Sequence, residues 1–164
     1  MKIRIALESD RSEIVNLYQR SQAATGIPNP DFYPSESLGD ELYSRDAIER
    51  YVTTSQGKII GHGLIEHPNP LSLSLWKNGI KEHEAELIEL GGAFVDPTLI
   101  RNGIYTELLH YRLNIIRKLG AIPVSATWAQ NIHVQKIFTT AGGREVARQQ
   151  IQAGELRLFV FYFQ

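Results

Sequence analysis

The chain has 164 residues, 43% apolar and 21% charged content, and a formal net charge of −1. This composition fits one globular domain, residues 1–164, with a sizeable core. The near-neutral charge argues against a dominant nucleic-acid or membrane footprint, and the absence of cysteine excludes disulfides, a thiolate nucleophile and a cysteine zinc site. Because the sequence shows neither a bilayer-spanning stretch nor a signal-peptide core, we expect a cytoplasmic protein.

The N-terminal part alternates strand-like and helical patterns. Residues 3–7 alternate with period two and predict a strand, and residues 14–21 carry apolar side chains at helical spacing after the candidate caps Ser9-Asp10. Residues 26–34 hold three prolines and predict a stiff loop. A second helix is expected around residues 44–50, with Ser44 as its cap.

Three further segments precede the centre of the chain. Residues 51–55 and 59–66 read as two strands joined by a short hairpin connection. Residues 68–84 are less regular. Within them, Leu71 to Trp76 alternate with period two and Asn78-Gly79 is a tight-turn signal, so we predict an insertion with strand character.

The central run, residues 86–109, predicts a buried strand, a turn containing Gly103 and the start of a long helix. Apolar residues continue that helix to residue 119. Strand 124–128 follows, then a helix that begins at Ala129 or Asn131 and runs to residue 141, and residues 145–150 and 155–163 predict a closing hairpin. Its second strand is apolar on both faces, so it is either a covered interior strand or a homodimer interface.

This order of elements predicts a mixed α/β sheet with helices on both faces. The crossover helix indicates a parallel pairing between the strand of the central run and strand 124–128. We find no internal repeat.

The turn before the long helix has the properties of an anion site. The first N–H groups of a helix lack partners and carry partial positive charge. Gly103 lets the chain approach a ligand closely. Arg101 opposes the helix dipole by about 0.3–1 kcal/mol unless an anion lies between them, which points to phosphate.

The layout resembles the GNAT superfamily of acyl-CoA-dependent N-acyltransferases over essentially the whole chain. The resemblance rests on Val95-Asp-Pro97, on Ile100-Arg-Asn-Gly-Ile-Tyr105 and on Asn131 through Gly142. It implies a mostly antiparallel sheet with one splayed parallel pair, where strand backbone pairs with the pantetheine arm of the donor and turn N–H groups hold its pyrophosphate. Gly91-Gly92 fits the bulge that such splaying needs.

The resemblance also implies a set of site residues. Glu89, at the strand position of the glutamate base in the histone-modifying branch, would deprotonate the amine. Donor-binding positions are Phe94 and Val95 on the strand, Arg101, Asn102, Gly103, Ile104 and Tyr105 in the diphosphate turn, Asn131 on the pantetheine and Phe138 beside the sulfur. For Glu89 an equal alternative is one more solvated carboxylate in an acidic stretch.

Two departures from the family pattern fall on this set. Tyr105 replaces a glycine or alanine and either crowds the diphosphate or turns inward under the helix; its place in the apolar stripe favours the inward orientation. Phe138 replaces a tyrosine that protonates the departing thiolate, so water or another residue would have to serve.

The five histidines show no metal-binding spacing, so we expect no metal. His62 is a minor candidate for proton transfer, although such a histidine is more often hydrogen-bonded structure. The leading hypothesis is an N-acetyltransferase that moves an acetyl group from acetyl-CoA to a primary amine by direct attack. The alternative is a non-catalytic acyl-CoA-binding or interaction domain of the same fold.

Overall fold

The computed structural model describes residues 1–25, 47–68, 73, 76, 86–150 and 157–163. The strands in this part of the chain are β1 (Lys2–Ile5), β2 (Ala47–Ser55), β3 (Lys58–Glu66), β4 (Leu87–Val95), β5 (Ile122–Trp128), β6 (Gly143–Gln150) and β7 (Arg157–Phe163). The α-helices described are α1 (Arg11–Thr25), α2 (Ile104–Lys118) and α3 (Ile132–Thr140), and short 3-10 turns lie at Glu8–Asp10 and Pro97–Leu99.

The described strands form one mixed sheet in the order β1-β2-β3-β4-β5-β7-β6. Among these pairings only β4 with β5 is parallel, and α2 provides the crossover between the two strands. This confirms the predicted fold class of a mostly antiparallel sheet containing one parallel pair. Strand β7 is an interior strand between β5 and β6, and both of its faces are covered at its C-terminal end: Phe161 and Phe163 pack in the cluster under α2, and Tyr162 packs with Trp76 on the other face.

Helices cover both faces of the sheet. On β2, Tyr51 belongs to the core cluster that contains Leu108 and Leu113 of α2, whereas the adjacent Val52 belongs to the cluster that contains Leu17 of α1. Because successive strand residues point to opposite faces, α1 and α2 lie on opposite sides of the sheet. Their hydrophobic contacts fix the position of β4, which lies between them.

The predicted helix at residues 44–50 is wrong from residue 47 onward, since Ala47 opens β2. Pairing with β3 explains the error: Arg50 lies opposite Leu64, and Val52 lies opposite His62. Cross-strand packing therefore overrides the local helical pattern. Residues 44–46 lie outside the described residues.

The predicted strand character at residues 71–76 is also wrong at its two described positions, because Leu73 and Trp76 are helical. The period-two alternation of residues 71–76 predicted a strand, but the spacing of three residues between Leu73 and Trp76 fits a helix equally well. Trp76 is fully buried and packs with Val124 and Tyr162. The proline-rich loop 26–34 and the turn at 78–79 lie outside the described residues. The hairpin between β2 and β3 is confirmed, with Gln56 and Gly57 in left-handed conformation at its turn.

Candidate active site

The parallel pairing of β4 with β5 is short. It joins Leu87, Ile88 and Glu89 to Ile122, Pro123 and Val124 and goes no further. Beyond this point β4 continues to Val95 beside β3, while β5 continues to Trp128 beside β7. The two strands therefore separate, and the gap opens towards the N-terminus of α2, as the resemblance implied.

A bulge lies in β4 where the strands part. Leu64 on β3 lies opposite Gly91, but His62, two residues earlier, lies opposite Phe94, three residues later, so β4 holds one extra residue. Gly92 has a φ of +49°, in a region that side-chain-bearing residues rarely occupy. The bulge expected at Gly91-Gly92 is thereby confirmed.

The bulge decides which backbone groups face the gap. The amide of Asp96 donates to the carbonyl of Ile60 on β3 at 2.9 Å. Because bonding alternates along an antiparallel pair, Phe94 also directs its backbone groups towards β3, whereas Ala93 and Val95 direct theirs towards the gap. The sequence analysis gave Phe94 and Val95 as donor-binding positions and missed Ala93. Which backbone groups face the gap can be decided only once the strand register is known.

Side chains form hydrogen bonds with the carbonyl groups of the bulge. The Ser125 hydroxyl donates to the Leu90 carbonyl at 2.9 Å, Arg112 donates to the Gly91 carbonyl at 3.0 Å, and His62 Nδ1 lies 2.9 Å from the Gly92 carbonyl. The sequence analysis singled out neither Ser125 nor Arg112, and for Ser125 the sequence offers no signal. Arg112 lies on the apolar face of α2, where an arginine is unexpected, and that mismatch was the available signal.

Arg112 is 1% exposed and donates to carbonyl oxygens on β3, β4 and α2 itself. It has no carboxylate partner among the described residues. Gly63 makes room for it, because a Cβ at that position would lie 2.7 Å from Cζ of the guanidinium. Burial lowers the pKa of Arg112.

The turn after β4 presents backbone N–H donors, in contrast to the carbonyl groups of the bulge. Arg101 and Gly103 adopt left-handed conformations, with φ of +74° and +76°, and α2 begins at Ile104. Within the part of the chain that is described, the amide N–H groups of Gly103, Ile104 and Tyr105 have no hydrogen-bond acceptor. The side chains of Arg101 and Asn102 are exposed at the same place. The turn thus presents unpaired donors beside a cation.

Asp96 fixes the start of this turn. Its carboxylate accepts from the amide of Thr98 at 3.0 Å and from the Thr98 hydroxyl at 2.6 Å, and it forms an ion pair with Arg20 of α1 at 3.1 Å. The Thr98 hydroxyl is the main cause that lowers the pKa of Asp96, although partial burial opposes it. The carboxylate therefore remains ionised while it anchors the turn.

Tyr105 is directed inward, the orientation that the apolar stripe favoured. Its side chain is half-buried against the main core, and its ring centroid lies 6.5 Å from that of Phe138. Burial raises the pKa of its phenol, which keeps the proton in place. Phe138 is 2% exposed and makes edge contacts with Phe161 and Phe163.

Asn131 caps α3, because its side-chain oxygen accepts from the amide of Val134 at 3.4 Å. It lies just beyond the end of β5, on the far side of the gap from Val95. Its role towards a pantetheine arm stays a prediction.

Glu89 is half-buried at the last position of the parallel pairing, three residues before Gly92. Its neighbours Ile88 and Leu90 pack into the cluster under α2, so the Glu89 side chain points to the opposite face of the sheet. Glu66 on β3 lies directly across from it. Two carboxylates therefore share the face of the sheet next to the start of the gap.

His62 is fully buried, with its ring stacked on Phe94 at a centroid distance of 4.7 Å. Burial lowers its pKa to about 3, an effect that the Gly92 carbonyl opposes and that Arg50 and Arg112 reinforce. The ring is therefore neutral at physiological pH and donates its Nδ1 proton to Gly92. These contacts support a structural role for His62 rather than proton transfer.

Metal binding and membrane-spanning helices were also considered for the described residues. No cluster of three or more histidine, aspartate or glutamate side chains that could hold a metal occurs in the described residues. None of the helices described there has the length and apolar character needed to cross a bilayer.

No protein-family model matches the sequence. No curated protein matches it either. Solved structures do match.

The ribosomal-protein-alanine N-acetyltransferase from Brucella melitensis superposes with a TM-score of 0.73 at 19% identity, covering 99% of this chain and 98% of that one. The structure of yncA from Salmonella typhimurium with its cofactor acetyl-CoA gives a TM-score of 0.71 at 17% identity, covering 99% and 92%. The acetyltransferase of the GNAT family from Streptococcus pneumoniae gives 0.66 at 15%, covering 98% and 97%.

These similarities, together with the splayed parallel pair, show that the chain has an N-acetyltransferase fold. More specifically, it is the GNAT fold.

Proposed function

We propose that the protein is an N-acetyltransferase that transfers an acetyl group directly from acetyl-CoA to a primary amine. The observation that carries the proposal is the pairing of two backbone sites at the gap: amides at Gly103–Tyr105 that have no acceptor among the described residues, and an open strand edge at Ala93 and Val95. The first suits a diphosphate and the second suits the amides of a pantetheine arm. The complex of yncA with acetyl-CoA supports this choice of donor.

In this proposal the turn residues Arg101 to Tyr105 bind the diphosphate through backbone amides and the Arg101 charge. Val95 and Ala93 bind the pantetheine with their backbone. Phe94 contributes through its ring, which supports His62 from the α1 side of the sheet. Asn131 contacts the arm from the opposite side of the gap, and Phe138 packs beside the sulfur.

Glu89 takes a proton from the incoming ammonium, directly or through water. The amine nitrogen then bonds to the acyl carbon, and the carbon–sulfur bond breaks as the tetrahedral intermediate collapses. The thiolate leaves and takes up a proton, so the products are an N-acetyl amine and the free thiol of coenzyme A. Phe138 has no proton to give, so a water molecule carries the second proton of the amine nitrogen to the departing thiolate, and the amide nitrogen is left neutral.

The experiment is calorimetric titration with acetyl-CoA, followed by a thiol-release assay over a panel of primary amines. We expect binding, and turnover with at least one amine. Glu89→Gln should lower kcat by about 100-fold with little change in acetyl-CoA affinity. Glu86→Gln, which removes an exposed carboxylate just before β4, is the matched control and should leave kcat unchanged.

Each other outcome has a definite meaning. Binding without turnover on any amine would support the non-catalytic acyl-CoA-binding alternative. No heat with acetyl-CoA would exclude both functions.

A further inference from the structure

Tyr105 lies under the start of α2, between the elements that border the gap. On one side its ring centroid is 6.5 Å from that of Phe138, which belongs to α3 and packs against β7. On the other side is Arg112, whose guanidinium opposes the rise that burial causes in the pKa of the Tyr105 phenol. The same guanidinium donates to the Gly91 carbonyl at 3.0 Å. The phenol therefore lies near the bulge of β4.

The Tyr105 hydroxyl forms no hydrogen bond with any group in the described ranges of the chain. A tyrosine that packs in a core usually finds a partner for its hydroxyl, because an unpaired polar group inside a protein costs free energy. Tyr105 is half-buried, so part of its side chain still reaches accessible space. Water or a ligand in the gap would therefore complete the hydrogen bonding of this hydroxyl.

The position of the donor sulfur follows from the proposed route of the pantetheine arm. The arm runs from the diphosphate turn along the open edge at Ala93 and Val95, towards Glu89. The acyl carbon must lie within reach of an amine that Glu89 deprotonates. Because the sulfur precedes the acyl carbon on the arm, the sulfur comes to lie level with the bulge and next to the Tyr105 phenol.

Glu89 and Tyr105 approach the gap from different faces of the sheet. The Glu89 side chain points away from the cluster under α2, whereas Tyr105 packs against that cluster. In the tetrahedral intermediate the amine nitrogen and the sulfur are different substituents of one carbon. A base on one face can therefore act on the nitrogen while a proton donor on the other face acts on the sulfur.

We propose that Tyr105 is a catalytic residue whose hydroxyl donates its proton to the departing sulfur. This rests on the proposed function. As the carbon–sulfur bond breaks, the sulfur takes the proton from the Tyr105 oxygen and becomes the thiol of coenzyme A. The water molecule that carries the second proton of the amine nitrogen gives that proton to the Tyr105 oxygen. The phenol is thereby restored, and the amide product is neutral.

The surroundings of Tyr105 suit this step. Burial raises the pKa of the phenol, so the hydroxyl holds its proton until the sulfur departs. Arg112 has no carboxylate partner among the described residues, and its positive charge stabilises the phenolate between the two proton transfers.

The first experiment measures the effect of Tyr105→Phe, which keeps the ring beside Phe138 and removes the hydroxyl. With an amine that the wild-type protein acetylates, kcat should fall by about 100-fold while the dissociation constant of acetyl-CoA stays within about threefold. Because the hydroxyl has no partner among the described residues, the melting temperature should not fall. Tyr111→Phe is the matched control, since Tyr111 lies on the same helix but its ring contacts Tyr51 on β2. Its kcat should be unchanged.

The second experiment needs no amine. It compares the affinity for coenzyme A with the affinity for desulfo-coenzyme A, in which hydrogen replaces the thiol group. A hydrogen bond between the Tyr105 hydroxyl and the sulfur favours coenzyme A, so Tyr105→Phe should reduce this preference by about fivefold. Tyr111→Phe should keep the wild-type preference.

A purely structural role for Tyr105 predicts other results. An unchanged kcat in Tyr105→Phe would overturn the proposal, and so would an unchanged preference for coenzyme A over its desulfo analogue. An equal loss of rate and of acetyl-CoA affinity would show that the hydroxyl only shapes the site, which also overturns it. A wild-type protein that gives no heat with acetyl-CoA, or that acetylates no amine, would instead overturn the proposed function, and the role of Tyr105 with it.

Discussion

The bulge of β4 and the turn before α2 lie close together along the chain, but they differ in which backbone groups are paired. At residues 90–92 the chain is buried or half-buried, and each of the three carbonyl groups accepts a hydrogen bond from a side chain. At residues 103–105 the N–H donors lack acceptors among the described residues, and the turn leading into them is exposed. The contrast shows that the bulge pairs its acceptors while the turn exposes its donors, and exposed donors suit an anionic ligand.

The largest expected effect comes from disturbing the closed region. In Gly63→Ala the new methyl group would lie 2.7 Å from Cζ of Arg112, which is buried and cannot retreat into solvent. Displacing the guanidinium breaks its bonds to Leu64 and Gly91, so we expect a loss of about 3 kcal/mol in the free energy of unfolding. Chemical denaturation measures this loss.

Gly57→Ala is the control for this substitution. Gly57 has a left-handed φ of +76° and, within the described part of the chain, open space around it, so alanine there should cost only about 1 kcal/mol of backbone strain. Equal losses at the two glycines would show that Arg112 is not held as tightly as the contacts indicate.

The second prediction concerns His62 and acid. Its folded pKa of about 3 lies below the ordinary value of 6.5, so the unfolded chain takes up the proton first as the pH falls. Stability that is fully present above pH 6.5 should therefore decline between pH 6.5 and about 3, by about 1.4 kcal/mol per pH unit.

His62→Gln keeps an N–H donor for Gly92 but has no titrating ring. Denaturation curves recorded between about pH 6 and 4.5, above the range where the lowered carboxylates of Asp10 and Asp96 titrate, should show a shallower decline for this variant. Identical slopes for the two proteins would mean that His62 is accessible to protons in the folded state.

The third and smallest effect tests the open region. Gly103 and Gly120 flank the two ends of α2 and have φ of +76° and +75°, and no described atom lies within 4 Å of the place that an alanine methyl group would take. Alanine at either site should cost about 1 kcal/mol of stability, because both positions are left-handed. Only Gly103→Ala should also raise the dissociation constant of acetyl-CoA, by about tenfold, because it shifts the N–H groups of the turn.

Calorimetric titration of both variants gives the comparison. If Gly120→Ala weakens acetyl-CoA binding as much as Gly103→Ala does, the effect comes from general loosening of α2, and the turn has no special part in binding.

Much of the fold follows from local patterns. The long helix after Gly103 and the strand before it have strong periodicity, and their order implies the parallel pair that the structure contains. Residues 47–50 were misassigned because a short stretch of Ala, Ile and charged residues fits either element, and only pairing with β3 makes it a strand.

The candidate site, like the fold, could be predicted from the sequence only in part. Gly103 and the Gly91-Gly92 bulge could be predicted because glycine marks unusual backbone conformations. The three side chains that donate to the bulge carbonyls could not be predicted, since Ser125, His62 and Arg112 are far apart in sequence and meet only through the sheet register and the placement of α2. Ala93 was missed for a related reason: one extra residue in β4 decides which amides face the gap.

The most direct test is a crystal structure of the protein soaked with acetyl-CoA. The account predicts diphosphate oxygens within hydrogen-bond distance of the Gly103, Ile104 and Tyr105 amides, with the pantetheine arm along the open edge of β4 at Ala93 and Val95. A diphosphate bound elsewhere, or a Tyr105 ring that moves outward to fill the turn and keeps the ligand away, would contradict it.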